Sequence, residues 1–454
     1  MKTFLLSLLS ASLMAGAAHA AQIELKAEVA KSVLPAGQKH LTHLKVGLTG
    51  IPVNQDKPRT PVNLAIVLDR SGSMNGPKID HARSAACLAV RSLAPTDIVS
   101  IITFEQGVEI LVPATKASDQ EGICRKIREI RTAGGTALFA GVSKGAEEMR
   151  KFLSKESINR VILLSDGQAN VGPNSPEALA ELGSSLIKEG ISVTTIGLGT
   201  GYNEDLMTKL AEKSDGRHAF VDQPDQLTSI FADEINSVRS VVAQRIRIEI
   251  LCDPGVRPVR VLGREPIIAG QKVSLDLNQI YSQEEKYLIL EVEVPNGTNG
   301  LTRDLARVEV TYDNLATREP EHVNQTVAVK FSDNPVEVEN SVNKKVMIST
   351  VTQIATCNSA WAIQLRDKGN IKEAKQALLD NGAYLSNENI YLGSDELAKL
   401  GTINIVDGNN IDQDWEANRK MMKDTNYNNS QTQGKSVEGA YTRRVLPQSE
   451  KVKK

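Results

Sequence analysis

Two apolar patterns divide the chain. Between about Asn63 and Val238 the apolar runs are continuous, as in Leu64-Ala65-Ile66-Val67-Leu68 and Val161-Ile162-Leu163-Leu164. Strands buried on both faces of a parallel sheet need side chains of that kind at every position. Between such runs, Ile79, Ala82, Ala86, Val90 and Leu93 recur at helical spacing behind Pro77, so a helix is predicted to return across the sheet. On either side of this stretch the apolar positions alternate instead. Ile23 to Val29 and His43 to Leu48 precede it, and 245–251, 272–277, 287–294, 306–312 and 326–331 follow it. Short alternating strands spaced by turn residues predict an antiparallel sandwich. The two leading strands cannot bury a face alone. They are therefore predicted to join the later ones, which makes the α/β domain an insertion in a discontinuous β domain. After Pro335 the pattern turns helical, with a long helix over Val342 to Leu365 and a second from Ile371 after a Gly369-Asn370 turn.

The predicted fold is thus a doubly wound, mostly parallel α/β sheet inserted in or followed by an antiparallel β-sandwich, with a small C-terminal helical region. The predicted divisions are a leader at 1–20, N-terminal strands at 21–60, the α/β domain at 61–238, the sandwich at 239–334, helices at 335–424 and a polar tail at 425–454. Residues 1–20 have Lys2, an apolar stretch from Phe4 to Met14 and Ala18-His19-Ala20, the features of a bacterial secretory signal. The mature protein is expected to be exported, periplasmic or secreted, with no membrane span. The tail is rich in Asn, Gln, Ser and Lys and is expected to be disordered.

Charge narrows the partners. The 454 residues hold 53 basic and 55 acidic side chains, a balance that gives no reason to expect nucleic acid or an acidic bilayer. Cys87, Cys124, Cys252 and Cys357 have no close spacing. Four cysteines allow three disulfide connectivities, but the spacing matches neither a disulfide framework nor a zinc site, and buried free thiols are expected.

The candidate chemistry sits at the ends of the buried runs. Asp69-Arg70-Ser71-Gly72-Ser73 follows the first, Ser165-Asp166-Gly167 follows the second, and Thr132-Ala133-Gly134-Gly135-Thr136 opens a helix between them. Ligands of open parallel sheets bind beyond the carboxyl ends of the strands, where strand order reverses. If the two strands are neighbours there, Asp69 and Asp166 face one pocket with Ser71, Ser73 and Thr136. Two carboxylates and three hydroxyls, without His or Cys, suit a hard cation such as Mg2+. Mn2+ and Ca2+ accept the same oxygens. Taken singly, each hydroxyl is also an ordinary helix cap or turn former, and Asp166-Gly167 an ordinary turn.

Asp-x-Ser-x-Ser at 69–73, Thr136 after the glycine pair and Asp166 before Gly167 resemble the metal-ion-dependent adhesion site of von Willebrand factor type A domains. The resemblance covers about Asn63 to Val238 and includes Gly216 to Asp222 with the following Leu227 to Ile235. It implies a divalent cation at Asp69, Ser71, Ser73, Thr136 and Asp166, completed by a Glu or Asp carboxylate of a protein partner. It also implies adhesion or scaffolding rather than catalysis. The alternative is a metal-dependent, phosphatase-like hydrolase using Asp69 and Asp166. Haloacid-dehalogenase-like enzymes carry Asp-x-Asp, whereas Ser71 stands at the second position here, so the general acid is missing. No Gly-x-Ser-x-Gly or His-Glu-x-x-His occurs, and His81 has no nucleophile to serve. His40 and His43 fall on opposite faces of a strand. The acidic run Asp407 to Glu416 lacks the glycine of a calcium loop.

Overall fold

The computed structural model describes residues 21–52, 59–431 and 436–445; the leader, and the tail beyond 445, lie outside the described residues. The chain opens with β1 (Ile23–Val29), β2 (Val33–Pro35) and β3 (His40–Gly50). The α/β domain then runs β4 (Val62–Asp69), α1 (Pro77–Ser92), β5 (Ile98–Phe104), β6 (Val108–Lys116), α2 (Gln120–Arg128) and α3 (Leu138–Arg150). It continues with β7 (Ile158–Ser165), α4 (Pro176–Lys188), β8 (Ile191–Leu198), α5 (Glu204–Lys213), β9 (His218–Val221) and α6 (Leu227–Arg239).

Strand order in this sheet is β6-β5-β4-β7-β8-β9, parallel except for β6. Every residue of β4, β7 and β8 is buried, which is why their sequences carry no polar stripe. One face of β4, with Leu64, Ile66 and Leu68, packs into a core with α1, α2 and α6. The other, with Ala65 and Val67, packs into a core with α3, α4 and α5. The chain leaves β4 toward β5 and later returns to β4's other side as β7, so the order reverses at β4. Leu68 pairs with Leu164. Asp69 and Asp166 therefore emerge side by side at the switch point.

The β domain is completed by β10 (Val241–Cys252), β11 (Arg257–Leu262), β12 (Ile267–Ala269), β13 (Lys272–Tyr281), β14 (Glu285–Val294), β15 (Thr302–Asn314) and β16 (Pro320–Ser332). Its sheets have the orders β1-β3-β14-β11 and β12-β13-β10-β15-β16-β2, and one core lies between them. The leading strands are members of both sheets, and the α/β domain lies between β3 and β10.

The two domains meet at the bottom of the parallel sheet through buried charge. Arg160 of β7, fully buried, donates to Thr194 Oγ1 at 2.9 Å, to Tyr281 OH at 2.7 Å and to Gln279, and lies 3.3 Å from Glu234 of α6. Beside it, Lys286 donates to Asp215 at 2.8 Å, as does the backbone N–H of Asn278 at 2.7 Å. Burial raises the Asp215 carboxyl, but Lys286 and Arg264 outweigh it and hold the group below its ordinary value.

The C-terminal region comprises α7 (Pro335–Asn340), α8 (Lys344–Asp367), α9 (Ile371–Leu392), α10 (Asp395–Asn409), α11 (Trp415–Ser430) and α12 (Ser436–Arg444). The α8–α9 turn passes through Gly369 at φ +84°, a left-handed conformation that glycine reaches without cost. Helix α11 covers the edge strand β9: Asp424 accepts from the Phe220 N–H at 3.1 Å, and Tyr427 OH donates to the Gly216 carbonyl at 3.1 Å. An edge strand is thereby closed.

Two expectations are corrected here. The described part of the predicted tail is not disordered: it is helical through Ser430 and again over α12. Thr425, Tyr427 and Asn429 are buried, and Arg444 donates to Asp407 at 2.6 Å and to Thr425 Oγ1 at 2.9 Å. Polar side chains can be buried where each finds a partner, and no apolar periodicity announces it. Cys357 is exposed, whereas Cys87, Cys124 and Cys252 are buried, all four as free thiols. Asp407 lies in helix α10, in keeping with the missing calcium-loop glycine. Among the described residues, no helix is long and apolar enough to cross a membrane.

Candidate metal centre

Three loops meet above β4 and are laced together by backbone hydrogen bonds. The Arg70 N–H donates to the Phe104 carbonyl at 2.9 Å, Ala133 to Arg70 at 2.8 Å, Gly72 to Gly134 at 3.2 Å and Ala137 to Glu105 at 2.6 Å. Gly134 has φ +66°, and a Cβ there would collide with the Glu105 carboxylate. The glycine is what lets the 132–136 loop lie against the first loop.

These loops place the five predicted residues together. Asp69 is fully buried; its Oδ1 accepts from the Ser71 N–H at 2.8 Å and its Oδ2 from Ser165 Oγ at 2.5 Å. Ser73, in the one-turn 3-10 helix Gly72–Met74, donates from Oγ to Asp166 Oδ1 at 2.7 Å, and Ser71 Oγ lies 3.0 Å from Ser73 Oγ. Thr136 is oriented by Asn170, whose Oδ1 accepts from the Thr136 N–H at 2.8 Å. Gly167 marks the centre. A Cβ at 167 would lie 2.9 Å from Thr136 Oγ1, 3.4 Å from Ser73 Oγ and 3.6 Å from Asp69 Oδ2. Only a residue without a side chain leaves that space to the oxygens.

The electrostatics are one-sided. Burial pushes the Asp69 carboxyl up to about 6; the Ser165 and Ser71 hydrogen bonds oppose this, and the neighbouring Asp166 charge adds to it. The chain's own cation at the site is Lys78, which is paired with Asp166 Oδ2. A lysine in the first turn of α1 stands against the helix dipole, a sequence signal that points to a nearby anion. Ser165, the residue before Asp166, is a second participant outside the predicted set. Oxygen donors only, two anionic and three neutral, match what a hard divalent cation takes. Among the described residues, no group of three or more His, Cys, Asp or Glu forms a ligand cluster, and no hydrogen bond joins His81 to the five. His40 binds the Pro35 carbonyl at 2.7 Å, while His43 faces Glu291 at 3.3 Å.

Comparison with known proteins bears on the same stretch. Residues 63–233 match the von Willebrand factor type A domain. Among similar sequences, protein sll0103 of Synechocystis sp. is 24% identical over 57% of this chain and 63% of its own length. YfbK of Escherichia coli is 27% identical over 45% and 36%. Inter-alpha-trypsin inhibitor heavy chain H3 of Rattus norvegicus is 30% identical over 36% and 19%. The chain thus spans less than two thirds of the length of the curated relatives it matches. Among solved structures, a von Willebrand factor type A protein from Catenulispora acidiphila superposes with a TM-score of 0.68 at 16% identity, covering 84% of this chain and 89% of that one. The ArnB paralog VWA2 from Sulfolobus acidocaldarius superposes with a TM-score of 0.62 at 18% identity, covering 91% and 99%. Those likenesses show the fold, and they extend past the α/β domain. Residues 63–233 are a von Willebrand factor type A domain.

Proposed function

We propose that this protein is an exported, divalent-metal-dependent binding module whose α/β domain captures a protein partner through that partner's Glu or Asp side chain. The reading rests on the convergence of Thr136, Ser73 and Asp69 oxygens on the space that Gly167 leaves open. Asp69, Ser71, Ser73, Thr136 and Asp166 would hold Mg2+, or Mn2+ or Ca2+ in its place. When bound, the ion offers an exchangeable position to a carboxylate from outside. The chain's residues do the rest: Ser165 and the Ser71 N–H fix the Asp69 carboxylate, Asn170 fixes the Thr136 loop, and Ser73 bridges to Asp166.

The geometry favours binding over hydrolysis. Asp69 is fully buried, and Ser71 stands where a phosphatase-like enzyme would carry its general acid, which supports the binding reading. The leader-like segment 1–20 supports a periplasmic or secreted location.

The test is capture from envelope extract in Mg2+, in EDTA, and with Asp69→Ala plus Ser71→Ala. A partner retained only by the intact protein in Mg2+ supports the reading. Equal capture in all three arms overturns it.

A further inference from the structure

The sequence leaves three pairings open for four cysteines, and the fold brings together only one pair. Cys87 lies on the buried side of α1 and Cys124 on the buried side of α2, in the same apolar seam as Ala86, Val90, Ile123 and Ile127. Each sulfur reaches across to the other residue's backbone: Cys87 Sγ is 3.6 Å from the Cys124 carbonyl oxygen, and Cys124 Sγ is 3.7 Å from that of Cys87. Cys252 is elsewhere, in the core of the sandwich, and Cys357 is exposed on α8.

We propose that Cys87 and Cys124 form a disulfide that staples α1 to α2. The reaction is a two-electron oxidation by a disulfide donor such as glutathione disulfide. The two thiols give up two protons and two electrons, the Sγ–Sγ bond forms, the donor's S–S bond breaks and two donor thiols leave. Closure asks for rotation of the two side chains away from the carbonyl oxygens that each sulfur now faces. Burial pushes the Cys87 thiol up to about 12. Thiolate is therefore scarce in the packed seam, so the bond forms while the seam is open during folding and is then shielded from reductants. Helix α2 has nine residues, too few to be stable without tertiary support, and the staple supplies a covalent tie. It lies more than two turns beyond Lys78 on α1 and touches none of the five oxygen ligands. The proposal is independent of the metal reading.

The test uses the purified full chain carrying Cys357→Ser, so that the exposed thiol does not confuse the count. The protein is refolded in glutathione buffers of rising disulfide content, quenched in acid, denatured, alkylated with N-ethylmaleimide and read by intact mass and peptide mapping. The expected result is one alkylation, on Cys252, and a cross-linked peptide pair holding Cys87 and Cys124. The same protein should show a melting transition of the α/β domain several degrees higher than after reduction, and Cys124→Ser should abolish both the cross-link and the difference. Three alkylated thiols at every glutathione ratio, or a cross-link that includes Cys252, overturns the proposal.

Discussion

The two ends of the central sheet handle buried charge in opposite ways. At the bottom, Arg160 is met by Glu234, Thr194, Gln279 and Tyr281, and Asp215 by Lys286 and Arg264. Each charge there finds its counterpart inside the chain. At the top, Asp69 and Asp166 are buried together among hydroxyls, and among the described residues Lys78 is the cation paired with them. Buried charge is costly unless it is paired. The bottom network is therefore structural, while the top carries a demand for positive charge that suits an outside cation.

The largest break in this comparison should come at the bottom. Arg160→Met leaves Glu234 buried without its ion-pair partner, with Thr194 still donating to it, which should cost about 3–5 kcal/mol of unfolding free energy. Urea denaturation measures it, and adding Glu234→Gln should recover part of the loss. Binding of Mg2+ by the folded fraction should be unchanged.

Next comes a pH effect at the junction with the helical region. His218 is buried, its Nδ1 2.8 Å from Thr195 Oγ1 and its ring against Tyr427. Burial pushes its pKa down to about 4, against the weaker pull of Asp424 and Glu204. The unfolded chain takes up the proton at a higher pH than the fold does. Stability from this group is thus complete above about pH 6.5 and is lost as pH falls toward 4, by about 3 kcal/mol. The parent should lose that much more between pH 7 and pH 4 than His218→Asn does, and parallel losses would remove His218 from the account.

At the top, Asp69→Ala or Gly167→Val should weaken Mg2+ binding by about 100-fold, measured by calorimetry. The metal-free unfolding midpoint of Asp69→Ala should stay level or rise, because a costly buried carboxylate has gone. A variant that loses stability and keeps its Mg2+ affinity would reverse the assignment of the two ends. The smallest effect belongs to Lys78. It is about a third exposed, and Lys78→Met should tighten Mg2+ binding a few-fold by removing a competing charge. Weaker binding would make Lys78 a positioning residue for Asp166 instead.

Much of the site was legible because its parts are local. Asp69 to Ser73, Gly134 to Thr136 and Asp166 to Gly167 each follow a buried run or open a helix, and local pattern alone places them at strand ends. Lys78 and Ser165 stand beside those motifs, but nothing in their spacing says which carboxylate they hold. Arg160 reads as the polar edge of an apolar strand, and its partners lie 34, 74, 119 and 121 residues away in sequence. Thr425 to Ser430, the last part of α11, is the extreme case: composition describes a solvated tail, whereas the helix is held by hydrogen bonds to β9 and α8 and by ion pairs to α5.

The sequence by itself determined the two-sided burial of the central sheet, the alternating strands on either side of it and which oxygen-bearing residues follow its buried runs. Hydrophobic period and turn chemistry are properties of neighbouring residues. Tertiary structure alone decided that β4 and β7 lie side by side, that the leading strands pair with β14 and β16, that Cys87 meets Cys124, and that Arg160 and Arg444 are satisfied. Those outcomes depend on pairings between residues far apart in the chain, whose partners no local pattern names.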